Sequence, residues 1–97
     1  MKGYWIILGT EVTDPAAQSE YGKLWEPIAK KYQARLNPTA TAPSLMESRD
    51  TARVIIVEFP TYEMAVECYN DPDYAAAAKF AQAASKRDLL IVAGNLD

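Results

Sequence analysis

The chain has 97 residues, 49% of them hydrophobic, and a net charge of −3 from 10 Lys plus Arg against 13 Asp plus Glu. That length makes one domain, residues 1–97, too apolar for disorder and too small for a deep core of its own. With no basic run, neither a nucleic-acid interface nor a basic membrane-surface patch is expected, and no stretch approaches the ~20 apolar residues of a membrane span.

There is no histidine, which removes the commonest general acid/base and metal ligand, and with them Cys/His zinc sites and histidine triads. A carboxylate-only Mg²⁺ or Ca²⁺ site lacks a motif, so neither metal nor cofactor is expected. Cys68 is the single cysteine. No internal disulfide can form, the default setting is reducing and cytoplasmic, and a buried structural thiol is expected rather than a nucleophile.

Lys2 to Gly9 reads as a first strand, with Tyr4, Ile6 and Leu8 on one face and Trp5, Ile7 and Gly9 on the other. The apolar run is too short for a signal-peptide core. Asp14-Pro15 is a helix start. Ala17, Tyr21, Leu24, Ile28 and Tyr32 then make one apolar stripe, widened by Trp25. Pro27 inside that stripe is expected to kink or divide the helix. Arg35 and Leu36 begin a second strand that Asn37-Pro38 interrupts, as suits a sheet edge. Pro43 to Asp50 reads as loop.

Arg53 to Phe59 is a clear strand, with Val54, Ile56 and Glu58 on one face and Arg53, Ile55, Val57 and Phe59 on the other. Thr61 caps a helix whose inner side is Ala65, Val66 and Tyr69. Asp71-Pro72 restarts it as an alanine-rich segment reaching Ser85, with Tyr74 and Phe80 its only large apolar groups. Leu89 to Ala93 is the last strand.

The order β-α-β-β-α-β predicts an α+β, ferredoxin-like fold: a four-stranded antiparallel sheet with its helices on one face. The first, third and last strands are apolar on both faces, and one helix layer covers only one. The other face would exceed the few hundred Å² of apolar patch a monomer tolerates. A homodimer through the sheet faces is the simplest remedy. The alternative is that the turns and the Pro43–Asp50 loop fold over that face.

Glu58-Phe59-Pro60-Thr61, Ala65 and Cys68-Tyr69-Asn70-Asp71-Pro72-Asp73-Tyr74, with Lys2-Gly3-Tyr4-Trp5 and Ile91-Val92-Ala93-Gly94, resemble domain-of-unknown-function family 1330. The resemblance covers nearly the whole chain and implies the dimeric α/β-barrel superfamily, in which two such sheets face each other. It implies no reaction. The family's Gly-Gly-Arg after the first helix is here Gln33-Ala34-Arg35, and Asn37 to Ala42 lacks the family's second glycine pair. Ala81 stands where relatives carry an arginine.

Glu58 is the sharpest candidate for catalysis. On a strand buried on both faces its carboxylate would be desolvated, and it could serve as acid or base with Tyr4 or Tyr69 assisting. The structural alternative is a bond to Arg35, Arg53 or a tyrosine hydroxyl that pins the strands. Trp5, Trp25, Arg35, Asn70 and Tyr74 are the ligand-binding candidates, around an aromatic pocket between sheet and helices or at the fresh helix N-terminus after Asp71. The alternatives there are plain aromatic core and capping by Asp71 itself. Asn37 to Asp50 could be a lid, an arm around a partner or a disordered loop. The leading functional expectation is a homodimer binding a small, mostly apolar or aromatic molecule. The others are a cofactor-independent enzyme (isomerase, cyclase or monooxygenase-like) using Glu58, and a structural partner subunit.

Overall fold

The structure, a computed structural model, describes residues 1–96. Its elements run β1 Gly3–Gly9, α1 Pro15–Lys31, β2 Arg35–Leu36, β3 Arg53–Phe59, α2 Tyr62–Asn70, α3 Pro72–Ala84 and β4 Arg87–Ala93. The strands form one sheet in the order β2-β3-β1-β4, every neighbouring pair antiparallel. This is the ferredoxin-like arrangement, with the second helical arm broken in two. The molecule is a slab 19 Å thick, one helix layer on one sheet.

Alternation along the strands decides which side chains meet the helices. Trp5 and Ile7 of β1 and Val57 and Phe59 of β3 form the core with Trp25, Ile28 and Tyr32 of α1. Trp5 is fully buried, its ring centroid 4.8–6.0 Å from those of Trp25, Phe59, Tyr69 and Tyr74, and its indole N–H donates to the Ala65 carbonyl at 2.9 Å. On α3, Tyr74, Ala77, Ala81 and Ala84 are buried at helical spacing. Their small side chains let α3 lie close beside α1, with which it makes its main helix contact. Phe80 is left 38% exposed.

Each helix starts on the cap that the sequence supplies. The Ala17 amide donates to Asp14 Oδ1 at 3.1 Å, that of Met64 to Thr61 Oγ1 at 3.1 Å, and that of Asp73 to Asp71 Oδ1 at 2.8 Å. At Gly3 a Cβ would fall 2.6 Å from Tyr62 Cα, so the missing side chain is what lets α2 begin directly on β1.

Three expectations are corrected in detail. Pro27 does not divide α1, which runs unbroken across it. Both Pro27 and Lys23, whose carbonyl forgoes an amide partner, are exposed, so water can satisfy the loss. The inner residue of α2 is Cys68, fully buried, rather than Tyr69, which is 42% exposed. Burial, with the Asp71 carboxylate nearby, pushes the Cys68 thiol up to about 12, which makes it unreactive. β4 starts at Arg87, two residues before the expected Leu89. β2 is the expected Arg35–Leu36, stopped before Asn37-Pro38.

The family's first glycine has a clear physical counterpart here. Gln33 follows the end of α1 with φ 54°, the left-handed conformation, while Ala34 N–H donates to the Ala29 carbonyl at 2.9 Å. That is the position where helices usually place glycine. Gln33→Gly is therefore expected to raise stability by about 0.5–1 kcal/mol, the left-handed cost of a side chain less the flexibility glycine adds. Urea unfolding of the two proteins measures this.

Asp71 ties the helix layer together. Its Oδ2 accepts from Tyr32 Oη at 2.6 Å and from Lys31 Nζ at 2.9 Å, while Oδ1 caps α3. The Tyr32 and Lys31 hydrogen bonds, with the Asp73 amide, hold its carboxyl at about 2 against an ordinary 3.8. A folded-state pKa below the unfolded one adds stability that is complete above the unfolded value and is lost as pH falls through the folded one. Asp71→Asn keeps a capping oxygen but loses the charge. Its destabilisation is expected to be largest near neutral pH and to shrink as pH falls from 3.8 to about 2. Thermal melts of both proteins across that range check it.

Candidate functional site

The row of β1 side chains facing the helices runs Trp5, Ile7, Gly9, from largest to none. Where it runs out, a cleft of about 310 Å³ opens between the sheet and the helices. Ile7, Ile55, Val57 and Leu36 line its sheet side. Tyr21, Gly22 and Trp25 of α1 and Ala81 of α3 line its helix side. Ile55, though it faces the helices, stays only partly buried because this space is not filled.

Polar groups gather at the Gly9 end. Gly9 pairs with Arg53 on β3 and with Arg87 on β4. Both side chains reach the cleft, together with Gln18 and Ser85. Arg53 donates from Nε to the Thr10 carbonyl at 3.0 Å and from Nη2 to Ser85 Oγ at 2.9 Å. Arg87 donates from Nη2 to Tyr74 Oη at 2.5 Å, and its guanidinium carbon lies 5.2 Å from the centre of the Tyr21 ring. The Tyr21 and Tyr74 hydroxyls are 3.1 Å apart. Burial, with the Tyr21 phenol beside it, pushes the Tyr74 phenol well above its ordinary range, so it stays protonated at neutral pH.

Glu58 lies on the other face of the sheet. Tyr4 Oη donates to its Oε2 at 3.4 Å, Arg35 Nη1 to its Oε1 at 3.2 Å, and Lys2 Nζ stands 3.6 Å from Oε2. The structure thus brings Glu58, Tyr4 and Arg35 together and sets Tyr69 apart, since Tyr69 packs on Trp5 across the sheet. Arg53, named as a possible partner of Glu58, points to the opposite side by strand alternation. Glu58 and Tyr4 border a second space of about 320 Å³, closed by Pro38, Thr39, Ala40, Ile56 and Leu96.

Of the ligand-binding candidates, Trp25 lines the sheet–helix cleft. Trp5 and Tyr74 are fully packed core residues behind it. Asn70 is exposed and donates to the Val66 carbonyl at 3.1 Å, and the helix start after it is occupied by the Asp71 carboxylate. Arg35 serves Glu58 on the far face. Sequence reading counts Tyr21 among the aromatic side chains for such a pocket, but it missed Gln18, Ser85 and Arg87 as cleft residues and assigned Arg53 to strand pinning. Arg53 could be placed by alternation with Ile55 and Val57. Arg87 lay before the expected start of its strand, so no alternation reached it.

Among the described residues, no group of acidic, cysteine or histidine side chains could hold a metal ion, and no helix is long and apolar enough to cross a membrane. No curated protein matches the chain. Solved structures share its fold. A protein of unknown function from Rhodopseudomonas palustris is 19% identical with a TM-score of 0.69, the match covering 99% of this chain and 84% of that one. A dimeric protein of unknown function with a ferredoxin-like fold from Bacteroides fragilis is 12% identical with a TM-score of 0.60, over 96% of each chain. SnoaB, a cofactor-independent oxygenase from Streptomyces nogalater, is 14% identical with a TM-score of 0.60, over 99% of this chain and 95% of that one. The similarity in sequence is more specific than the fold: the chain belongs to the family of the domain of unknown function DUF1330, which matches it over residues 2–95.

Proposed function

We propose that the protein is a homodimeric small-molecule-binding protein whose ligand occupies the cleft between the sheet and the helices. The cleft carries this reading. It is largely apolar and enclosed on two sides, polar groups converge at one end, and its volume is at the lower end of ligand pockets.

Pairing is supported by the sheet's other face. Ile6, Leu8, Val54, Ile56, Leu90 and Val92 share it, and none is fully buried. The 37–52 segment covers only part of it: Pro38, Thr39 and Ala40 stand beside Tyr4 and Ile56, while Leu45 and Met46 are 43% and 84% exposed. The chain exposes 6208 Å². A compact monomer of 10.7 kDa exposes about 5,500 Å². A second copy seated on the bare face is the partner of matching chemistry, and the Bacteroides fragilis protein of the same fold is dimeric. A ligand in the cleft and a partner on the far face do not compete, because the sheet lies between them.

Catalysis by Glu58 is a second reading, supported by its contact with Tyr4 beside the far-face space. Two cations and a phenol already occupy that carboxylate, which favours a pin between β2, β3 and β1. Unchanged turnover by Glu58→Gln, on any substrate the protein is found to convert, would remove it from the mechanism.

Native mass spectrometry of the purified protein tests the first reading: a dimer is expected, with bound small molecule as an additional mass. Leu90→Lys puts a charge on the bare face, on edge strand β4 beside Ile6, at a site 45% exposed in the single chain. It is expected to weaken the dimer by about a hundredfold or more, the desolvation of one charge, while the monomer keeps its helical signal in circular dichroism. A dimer of undiminished strength would place the interface elsewhere.

A further inference from the structure

We infer that the cleft is an anion site, taking the carboxylate of a small aromatic or alicyclic acid between Arg53 and Arg87. This rests on the reading of the cleft as a ligand pocket and adds the chemistry of the ligand.

The argument begins at Gly9. Its two cross-strand partners are Arg53 and Arg87, so the guanidiniums enter the cleft from either side of one bare backbone position. Strand spacing sets their Cα atoms roughly 10 Å apart, and the flexible side chains converge from there. A Cβ on Gly9 would stand 2.8 Å from Arg53 Nη2. The glycine is therefore the floor on which the Arg53 guanidinium lies.

Neither guanidinium has a counter-ion among the described residues. The ion pairs among the described residues engage Lys2, Lys30, Lys31 and Arg35, and none engages Arg53 or Arg87. Their hydrogen-bond partners are a carbonyl, a serine and a tyrosine hydroxyl, all neutral. Two partly buried cations sharing one cavity repel each other and have lost much of their hydration. Each fork has five N–H groups and the contacts named use two on Arg53 and one on Arg87, so donors remain for a planar carboxylate.

The rest of the cleft selects the body of the acid. Ile7, Ile55, Val57 and the Trp25 ring offer a mostly apolar wall, which suits a hydrocarbon or aromatic ring better than inorganic phosphate. At about 310 Å³ there is room for one or two rings. Ala81, with no side chain beyond its Cβ, leaves that room open.

Titration calorimetry of the full chain against benzoate, phenylacetate and 2-naphthoate, each paired with its neutral alcohol, tests this, with inorganic phosphate as a further arm. At least one carboxylate is expected to bind about tenfold or more tighter than its alcohol, the worth of a charged hydrogen-bond pair. Arg53→Gln and Arg87→Gln are each expected to remove most of that preference, weakening the acid far more than the alcohol. Gly9→Ala should do the same by displacing the Arg53 guanidinium without removing it. Circular dichroism confirms that each variant is folded. Equal binding of acid and alcohol by the unaltered protein overturns the anion site and leaves the pocket reading standing; this comparison needs no variant. Undiminished acid preference in both glutamine variants overturns it too, as does phosphate binding tighter than every organic acid. If no acid and no alcohol binds, the anion site and the pocket reading fall together.

Discussion

One constraint governs this molecule: successive side chains of a strand leave on opposite sides, and the chain has helices for one side only. β1 sits at the centre of the sheet and is bulky in both directions. Trp5 and Ile7 are claimed by α1, α2 and α3, and the aromatic core assembles around Trp5. On the other side Tyr4 is buried, its hydroxyl between Glu58 and the Leu96 amide, while Ile6 and Leu8 are left to whatever lies beyond. The two-layer slab, the bare face and the separation of Glu58 from Arg53 and Arg87 all follow from that alternation.

The cleft has the same origin. A core row that tapers from tryptophan through isoleucine to glycine cannot keep the layers filled to the end, and close packing gives way to a cavity at its narrow end. The arginines occupy that end because their backbones are held there by ladder pairing with Gly9. Charge is thus divided across the sheet. Glu58 is neutralised on one face by Arg35 and Lys2, while the positive groups on the other face have only dipoles around them.

Much of this was legible in the chain. Alternation gave β1 and β3 with their faces, Asp-Pro and Pro-Thr pairs gave the helix starts, and the element order gave the fold. What escaped had identifiable reasons. Pro27 was read as a breaker because sequence does not show that its ring and the carbonyl it orphans face water. Tyr69 was placed inside α2 because an aromatic outranks a cysteine in hydrophobic pattern, though the fold gives the inner position to the smaller side chain. The cleft residues could not be collected from sequence, because Arg87 joins Arg53 only through a register that pairs both with Gly9. Tyr74 was named for the site, but the fold uses it as the wall behind the site.

The shortness of β2 has its own consequence. A chain that leaves a greasy sheet surface open before it finds its partner is at risk of growing sideways, strand upon strand, into ribbons. Here that edge carries two residues, a left-handed Asn37 whose side chain takes the Ile56 amide, and then Pro38, which has no amide to give. That edge is thereby a poor template for a strand of another copy, which blocks the open-ended lateral growth that leads to fibrils.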